Sequence, residues 1–221
     1  MKLVLYSGGD QQENYLLDLA LFVQLIKKKN PLFTYIPASS HESEIYFHHF
    51  IDQYRPFGVN RFLSCPVDNP CDDVFLKEAL KSDLIHLSGG NTFYFLKHLK
   101  KSKMLGRLKK YANEGGVLTG LSAGAIMLTP SINTAGLPHF DRDDNDENIR
   151  NLTSMGLVDF EFFPHYKNSI RYDVELRQYS RKLTYPLYAL PDGSGIIING
   201  ESIQFVGKSF AFVHGKKTLI F

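Results

Sequence analysis

The fold class this 221-residue sequence predicts is α/β: a single-domain three-layer sandwich, a mostly parallel sheet flanked by helices, with C-terminal β-hairpins. Three observations carry that expectation. From residue 3 to residue 122, short β-rich runs alternate with longer segments of helical period, as βαβ units require. Two of the runs lead into glycine turns that open a helix, Ser88-Gly89-Gly90-Asn91 and Gly120-Leu121-Ser122-Ala123-Gly124. Beyond Leu187 the pattern becomes short β-rich runs separated by Asp192-Gly193, Asn199-Gly200 and His214-Gly215, which predict hairpins completing the sheet. No repeat or linker divides the chain, so 1–221 is read as one domain.

Each element has its own signal. The apolar run at the start is too short for a signal peptide and predicts a first strand over 3–7. A helix over 14–28 places Leu17, Leu21 and Leu25 on one face. Strands follow over 32–36, 61–64 and 84–87, separated by helices over 42–54 and 74–80. Helices over 91–99 and 105–113 come next, the second stopped by Gly115-Gly116. A strand over 117–121 leads into the second glycine turn. Residues 131–147 are polar and punctuated by glycine and proline, which predicts an exposed loop. A strand over 157–163 and a helix over 170–183 precede the hairpins.

Composition narrows the partners. Hydrophobic residues make up 43% and charged residues 22%, with a net charge of +2 from interspersed signs, as in ordinary globular proteins. The basic stretches Lys27-Lys28-Lys29 and Lys100-Lys101 lie at the ends of predicted helices, where cations complement the dipole. No nucleic-acid groove is implied. No apolar run reaches membrane-spanning length, so a cytoplasmic protein without a membrane partner is the default expectation. Cys65 and Cys71 fit neither a zinc knuckle nor a redox pair and are read as reduced thiols.

The chemistry centres on Ser122. Gly120-Leu121-Ser122-Ala123-Gly124 has the G-x-S-x-G pattern of a nucleophile elbow. A strand turning sharply into a helix needs residues without side chains around the turn, and the hydroxyl then shares its space with amides of the helix start. Ordinary turns carry such glycines too, so the other polar residues decide. A serine is a weak nucleophile until a base takes its proton. Of the eight histidines, His48, His49, His98 and His214 suit surface roles, His86 points from a strand, and His41 stands at a helix start. His139 and His165 remain. His165 is preferred, because it follows an apolar strand at the sheet edge where α/β sites collect, and Pro164 fixes the backbone before it.

An acid should orient the imidazole. Asp192 in Leu190-Pro191-Asp192-Gly193 could reach the same edge, although Asp-Gly is also a hairpin signal, and the acidic run from Asp141 offers rivals. The amides of Ser88 to Thr92 could cradle an anion or contribute to an oxyanion hole. That cluster lacks the lysine of a P-loop and the third glycine of a dinucleotide fingerprint. Asp141, Asp143 and Asn145 begin like a calcium loop, but Asp146 takes the glycine position and Leu152 the last glutamate position. No metal site is expected.

Together these features resemble the peptidase E family, aspartyl dipeptidases that share a serine-peptidase clan with cyanophycinases. The resemblance rests on Leu87-Ser88-Gly89-Gly90-Asn91-Thr92-Phe93, the elbow through Ala125, Pro164-His165-Tyr166 and Leu190-Pro191-Asp192-Gly193, in family order across nearly the whole chain. It implies Ser122 as nucleophile, His165 as general base and Asp192 as third member. Leu137 stands near the point after the elbow where an acid has also been considered in that family, which favours Asp192. The resemblance further implies oxyanion amides at Ala123 and Gly90 or Gly89, no cofactor, and a small peptide substrate such as a dipeptide with N-terminal aspartate. Asn91 and Arg177 are the expected substrate-binding residues. Arg177 lies in a glutamate-x-arginine motif whose guanidinium could clamp a carboxylate. The segment from His165 to Glu175 is shorter than in that family. Two other readings stay open: a noncatalytic small-molecule or anion-binding protein, and a hydrolase of isopeptide, amide or ester bonds. The oligomeric state is not specified.

Overall fold

A computed structural model describes residues 1–69 and 72–220; Cys71 lies outside them. The chain runs β1 (Lys2–Tyr6), α1 (Tyr15–Gln24), β2 (Leu32–Ile36), α2 (Ser43–Tyr54), β3 (Arg61–Ser64), α3 (Asp73–Ala79), β4 (Leu84–Leu87) and α4 (Thr92–Lys101). It continues with α5 (Met104–Asn113), β5 (Val117–Leu121), the single turn α6 (Ala123–Ile126), β6 (Glu161–Phe163) and α7 (Ile170–Ser180). The last strands are β7 (Leu187–Ala189), β8 (Gly195–Asn199), β9 (Ser202–Val206), β10 (Phe210–Val213) and β11 (Lys216–Leu219).

Among the described residues, a seven-stranded sheet has the order β3-β2-β4-β5-β1-β8-β9. Its first five strands are parallel, and β8 and β9 are antiparallel additions. Side chains alternate across the pleat. Leu3 and Leu5 therefore enter one core with Ile85, Leu87, Leu96 and Leu108, while Val4 and Tyr6 enter the other with Leu17, Leu21, Phe50 and Tyr54. Helices α4 and α5 cover the first face, and α1 and α2 the second.

The C-terminal strands divide between two sheets, which corrects the expectation that all of them complete one. β8 and β9 join the large sheet, but β7, β10 and β11 form a four-stranded sheet with β6, in the order β11-β10-β7-β6. Asp192-Gly193 is consequently the passage from one sheet to the other. The amide of Gly193 donates to the Gly8 carbonyl at 3.0 Å, which holds the passage against the end of β1. The small sheet packs Phe162 into the first core and Phe163, Leu187 and Ala189 against Tyr172 and Leu176 of α7.

Several boundaries are shorter than predicted. α1 ends at Gln24, short of the predicted 28, and Asn30 with φ 55° followed by Pro31 closes off any extension of the helix toward β2. The strand predicted over 157–163 shrinks to β6, because the amides of Met155, Gly156 and Leu157 donate instead to the carbonyls of Met127, Thr129 and Leu128 beyond α6. The acidic loop is anchored: Thr92 N donates to Asp143, Tyr172 Oη to Asp141, and Lys97 pairs with Glu147.

Candidate active site

Strand ends bring the site together. Ser7-Gly8 follows β1, Ser88-Gly89-Gly90 follows β4, Ser122 follows β5, Pro164-His165 follows β6 and Leu190-Pro191-Asp192 follows β7. A peptide plane past each strand still has unpaired groups to offer, which is why ligands collect at such edges.

Ser122 is held at φ 50° and ψ −110°, a sparsely populated conformation for a residue with a side chain. Its neighbours leave no alternative. A Cβ on Gly120 would overlap the backbone of Gly124, and one on Gly124 would overlap the Leu87 carbonyl. Hydrogen bonds fix the turn, from Ser122 N to the Tyr6 carbonyl at 3.0 Å and from Gly124 N to the Ser88 carbonyl at 3.1 Å. The hydroxyl then meets His165 Nε2 at 2.8 Å, and His165 Nδ1 meets Asp192 Oδ1 at 2.7 Å. Ser122 is half-buried, and the side chains of His165 and Asp192 are 49% and 48% exposed, so the chain of groups faces solvent at the cleft.

Two residues that the sequence reading did not single out shape this geometry. The buried Ser7 hydroxyl accepts from His165 N at 2.9 Å and donates to the Leu190 carbonyl at 2.6 Å. It ties His165 to the segment carrying Asp192, while His165 sits at φ 53°. Gly8 lies directly against both side chains, since a Cβ there would overlap Asp192 Oδ1 and His165 Cε1. One signal was available: Ser7-Gly8-Gly9 repeats the Ser-Gly-Gly of 88–90 after a strand.

Gly89 adjoins the serine, its ideal Cβ position being 3.7 Å from Ser122 Cβ. Gly90 has φ 142° and its Cβ would stand 2.7 Å from that of Ala38, so only glycine suits it. Ala123 opens α6 immediately after Ser122. Gly89, Gly90 and Ala123, the residues predicted to supply oxyanion amides, thus stand at the two turns that follow β4 and β5.

Asn91 and Arg177, the expected substrate-binding residues, have hydrogen-bond partners within the protein. Asn91 caps α4: its Oδ1 accepts from Tyr94 N at 2.9 Å and its Nδ2 donates to the Asp144 carbonyl at 2.9 Å. Arg177 donates to the Gly215 carbonyl at 3.0 Å and lies 3.8 Å from Asp173. Neither joins Ser122, His165 and Asp192. His139 is exposed, and its amide donates to Glu175. His98, expected at the surface, is buried and packs on Tyr94, because α4 turns that face to the protein.

A cavity of about 810 Å³ opens beside Ser122, bounded by Gly89, Gly90 and Leu121 and by the segments after β1 and β2. Its floor is aromatic and includes His86, whose Nδ1 is 2.8 Å from Thr119 Oγ1. Burial pushes the His86 pKa down to about 3, so that imidazole is neutral. Burial raises Asp18, behind the floor, to about 6, although Gln53 and Tyr6 donate to it. Glu161 at the start of β6 is likewise raised by burial to about 7, against donation from Ser131 and Tyr185.

Relatives agree with this architecture. An uncharacterized peptidase, PM1590 of Pasteurella multocida, is 29% identical over 213 residues, covering 91% of this chain and 95% of that protein. Peptidase E of a Nostoc species is 27% identical over 60% of this chain and 55% of its own length. The crystal structure of a peptidase from an acI-B1 Actinobacterium superposes with a TM-score of 0.75 over 99% of this chain and 93% of that one, at 19% identity. The model of peptidase family S51 matches residues 3–206, and with the strand-edge serine and the shared fold already described, the chain belongs to that family, the family of peptidase E.

Proposed function

We propose that this peptidase hydrolyses small peptides through an acyl-enzyme on Ser122, with His165 as general base and Asp192 orienting it. The observation that carries the proposal is the unbroken relay of two short hydrogen bonds, Ser122 Oγ to His165 Nε2 and His165 Nδ1 to Asp192. Ser122 Oγ attacks the carbonyl carbon as its proton passes to Nε2, and the C–O bond forms. Amides of Gly89, Gly90 and Ala123 stabilise the oxyanion, each donor contributing roughly 10²–10³ in rate. The imidazolium, held against Asp192, returns its proton to the departing nitrogen as the C–N bond breaks. Water then gives a proton to His165, its hydroxyl adds to the acyl carbon, and Ser122 recovers its proton as the acid leaves. Every proton in this cycle is carried by His165.

A serine-directed phosphonate tests the mechanism. Mass spectrometry should find the adduct on Ser122 in the wild type and none in Ser122→Ala. An unlabelled wild type would favour the noncatalytic anion-binding reading.

The finer reading, preference for an N-terminal aspartyl residue, draws its support from the family resemblance. It requires a cation at the substrate side chain, and Arg177 is engaged with Gly215 and Asp173. Comparing Asp-X with Ala-X dipeptides decides it.

A further inference from the structure

The cavity beside Ser122 offers the wrong charge for an aspartyl side chain. Among the described residues that line it there is no lysine and no arginine, whereas Asp10, Glu42 and Asp52 supply three carboxylates. Two of these already have partners. Asp10 Oδ1 accepts from the amides of Gln12 and Glu13, and Asp52 lies 4.0 Å from Arg55, an exposed pair that offsets little of its charge. The imidazoles of His41 and His49 complete the rim. Exposed Tyr46 and the almost wholly buried Tyr35 and Phe50 line the same cavity with aromatic surface that suits an aliphatic stem or a cation lying over a ring.

A second observation asks for a donor. Asn14 lines the cavity and is 4% exposed. Its Nδ2 donates to the Gly9 carbonyl at 3.2 Å, which fixes the orientation of the amide. Its Oδ1 is buried and has no hydrogen-bond partner among the described residues. A buried acceptor left so is unfavourable, and an ammonium or guanidinium N–H would satisfy it.

We propose that this cavity is a pocket for a basic side chain, lysine or arginine, on a residue flanking the scissile bond. The proposal rests on the peptidase reading above and adds the substrate class to it. An acidic side chain entering the same space would meet three carboxylates, an unpartnered amide oxygen and no lysine or arginine.

The test is a set of short peptides carrying lysine, arginine, norleucine, glutamine, aspartate or glutamate at either position flanking the bond, with kcat/KM measured for each. At one position lysine and arginine should exceed norleucine by roughly tenfold or more, as charge-assisted contacts do, and aspartate should fall below it. The double variant Glu42→Gln/Asp52→Asn should shrink that advantage, read as the ratio of the lysine to the norleucine peptide, to about threefold or less. Equal rates for lysine and norleucine at both positions, a best rate with aspartate, or an advantage untouched by the double variant would overturn the pocket while leaving the peptidase intact. Absence of turnover for every peptide, with no phosphonate adduct on Ser122, would overturn both.

Discussion

A hydroxyl at residue 7 and the lack of a side chain at residue 8 determine where the imidazole of His165 can stand. Ser7→Ala leaves the His165 amide and the Leu190 carbonyl without their shared partner, in a place closed to water. The expected outcome is a stability loss of about 1–3 kcal/mol and a fall in kcat of up to about 100-fold as His165 drifts from the serine. KM should move little, because Ser7 holds His165 rather than the substrate. Gly8→Ala should depress kcat further, since the new methyl group displaces both His165 and Asp192. A steady-state split of kcat from KM checks both variants. Ser122→Ala sets the baseline: several orders of magnitude in activity should vanish, with near-UV circular dichroism unchanged. The serine and histidine were legible because G-x-S-x-G and a Pro-His after an apolar strand are local signals. Ser7 acts on His165 across 158 residues of sequence, and Gly8 meets the same side chain across a similar span. Short-range pattern says nothing of such a distance.

Whole elements were legible where one periodicity ran unbroken. β2, β3, β4 and β5 fall on their predicted residues because each is a buried or half-buried run bounded by turns. The second sheet was not legible, since β7 and β10 have the same alternation whichever sheet receives them. β6 marks where that sheet meets the main core, and it begins with Glu161, which is wholly buried. Its folded-state pKa of about 7 lies above the ordinary 4.5, so the native state binds the extra proton between those values. Stability should therefore fall as pH rises from about 4.5 to 7 and level off above, by roughly 3 kcal/mol. Glu161→Gln keeps an acceptor toward Ser131 and Tyr185 but cannot titrate. Urea midpoints of wild type and variant across this range should converge at low pH and separate as pH rises, the variant becoming the more stable. Asp18 titrates in part of the same window and is common to both proteins, so the difference isolates Glu161.

At the scale of the molecule, the question is how His165, the proposed base at the edge of the small sheet, keeps its register against Ser122 at the edge of the large one. Part of the answer is shared core: Phe160, Phe162 and Leu190 pack in the same cluster as Leu3, Leu87 and Leu118. The rest is a charged brace. Lys217 on β11 donates to both oxygens of Asp173 at 3.0 Å, Asp173 accepts from Tyr166 Oη, and Tyr166 follows His165. Lys217 also lies over the rings of Tyr166 and Phe210, at 5.1 and 4.8 Å from their centroids. The side chains of Lys217 and Asp173 are only 14% and 12% exposed, so removing Lys217 leaves Asp173 to the Tyr166 hydroxyl and to Arg177 at 3.8 Å. Lys217→Met should lower stability by about 1–3 kcal/mol and reduce kcat, with the last hairpin no longer tied to the segment bearing His165. The double variant Lys217→Met/Asp173→Asn removes both charges and should recover most of the stability. Recovery of kcat as well would place the whole effect in the buried charge. Stability restored with kcat still low would show that the brace positions His165, and this is the expected result because a neutral amide at position 173 cannot draw in the Tyr166 hydroxyl as a carboxylate does. Each denaturation should remain a single transition, since Phe160, Phe162 and Leu190 bury the inner face of the small sheet in the core of the large one.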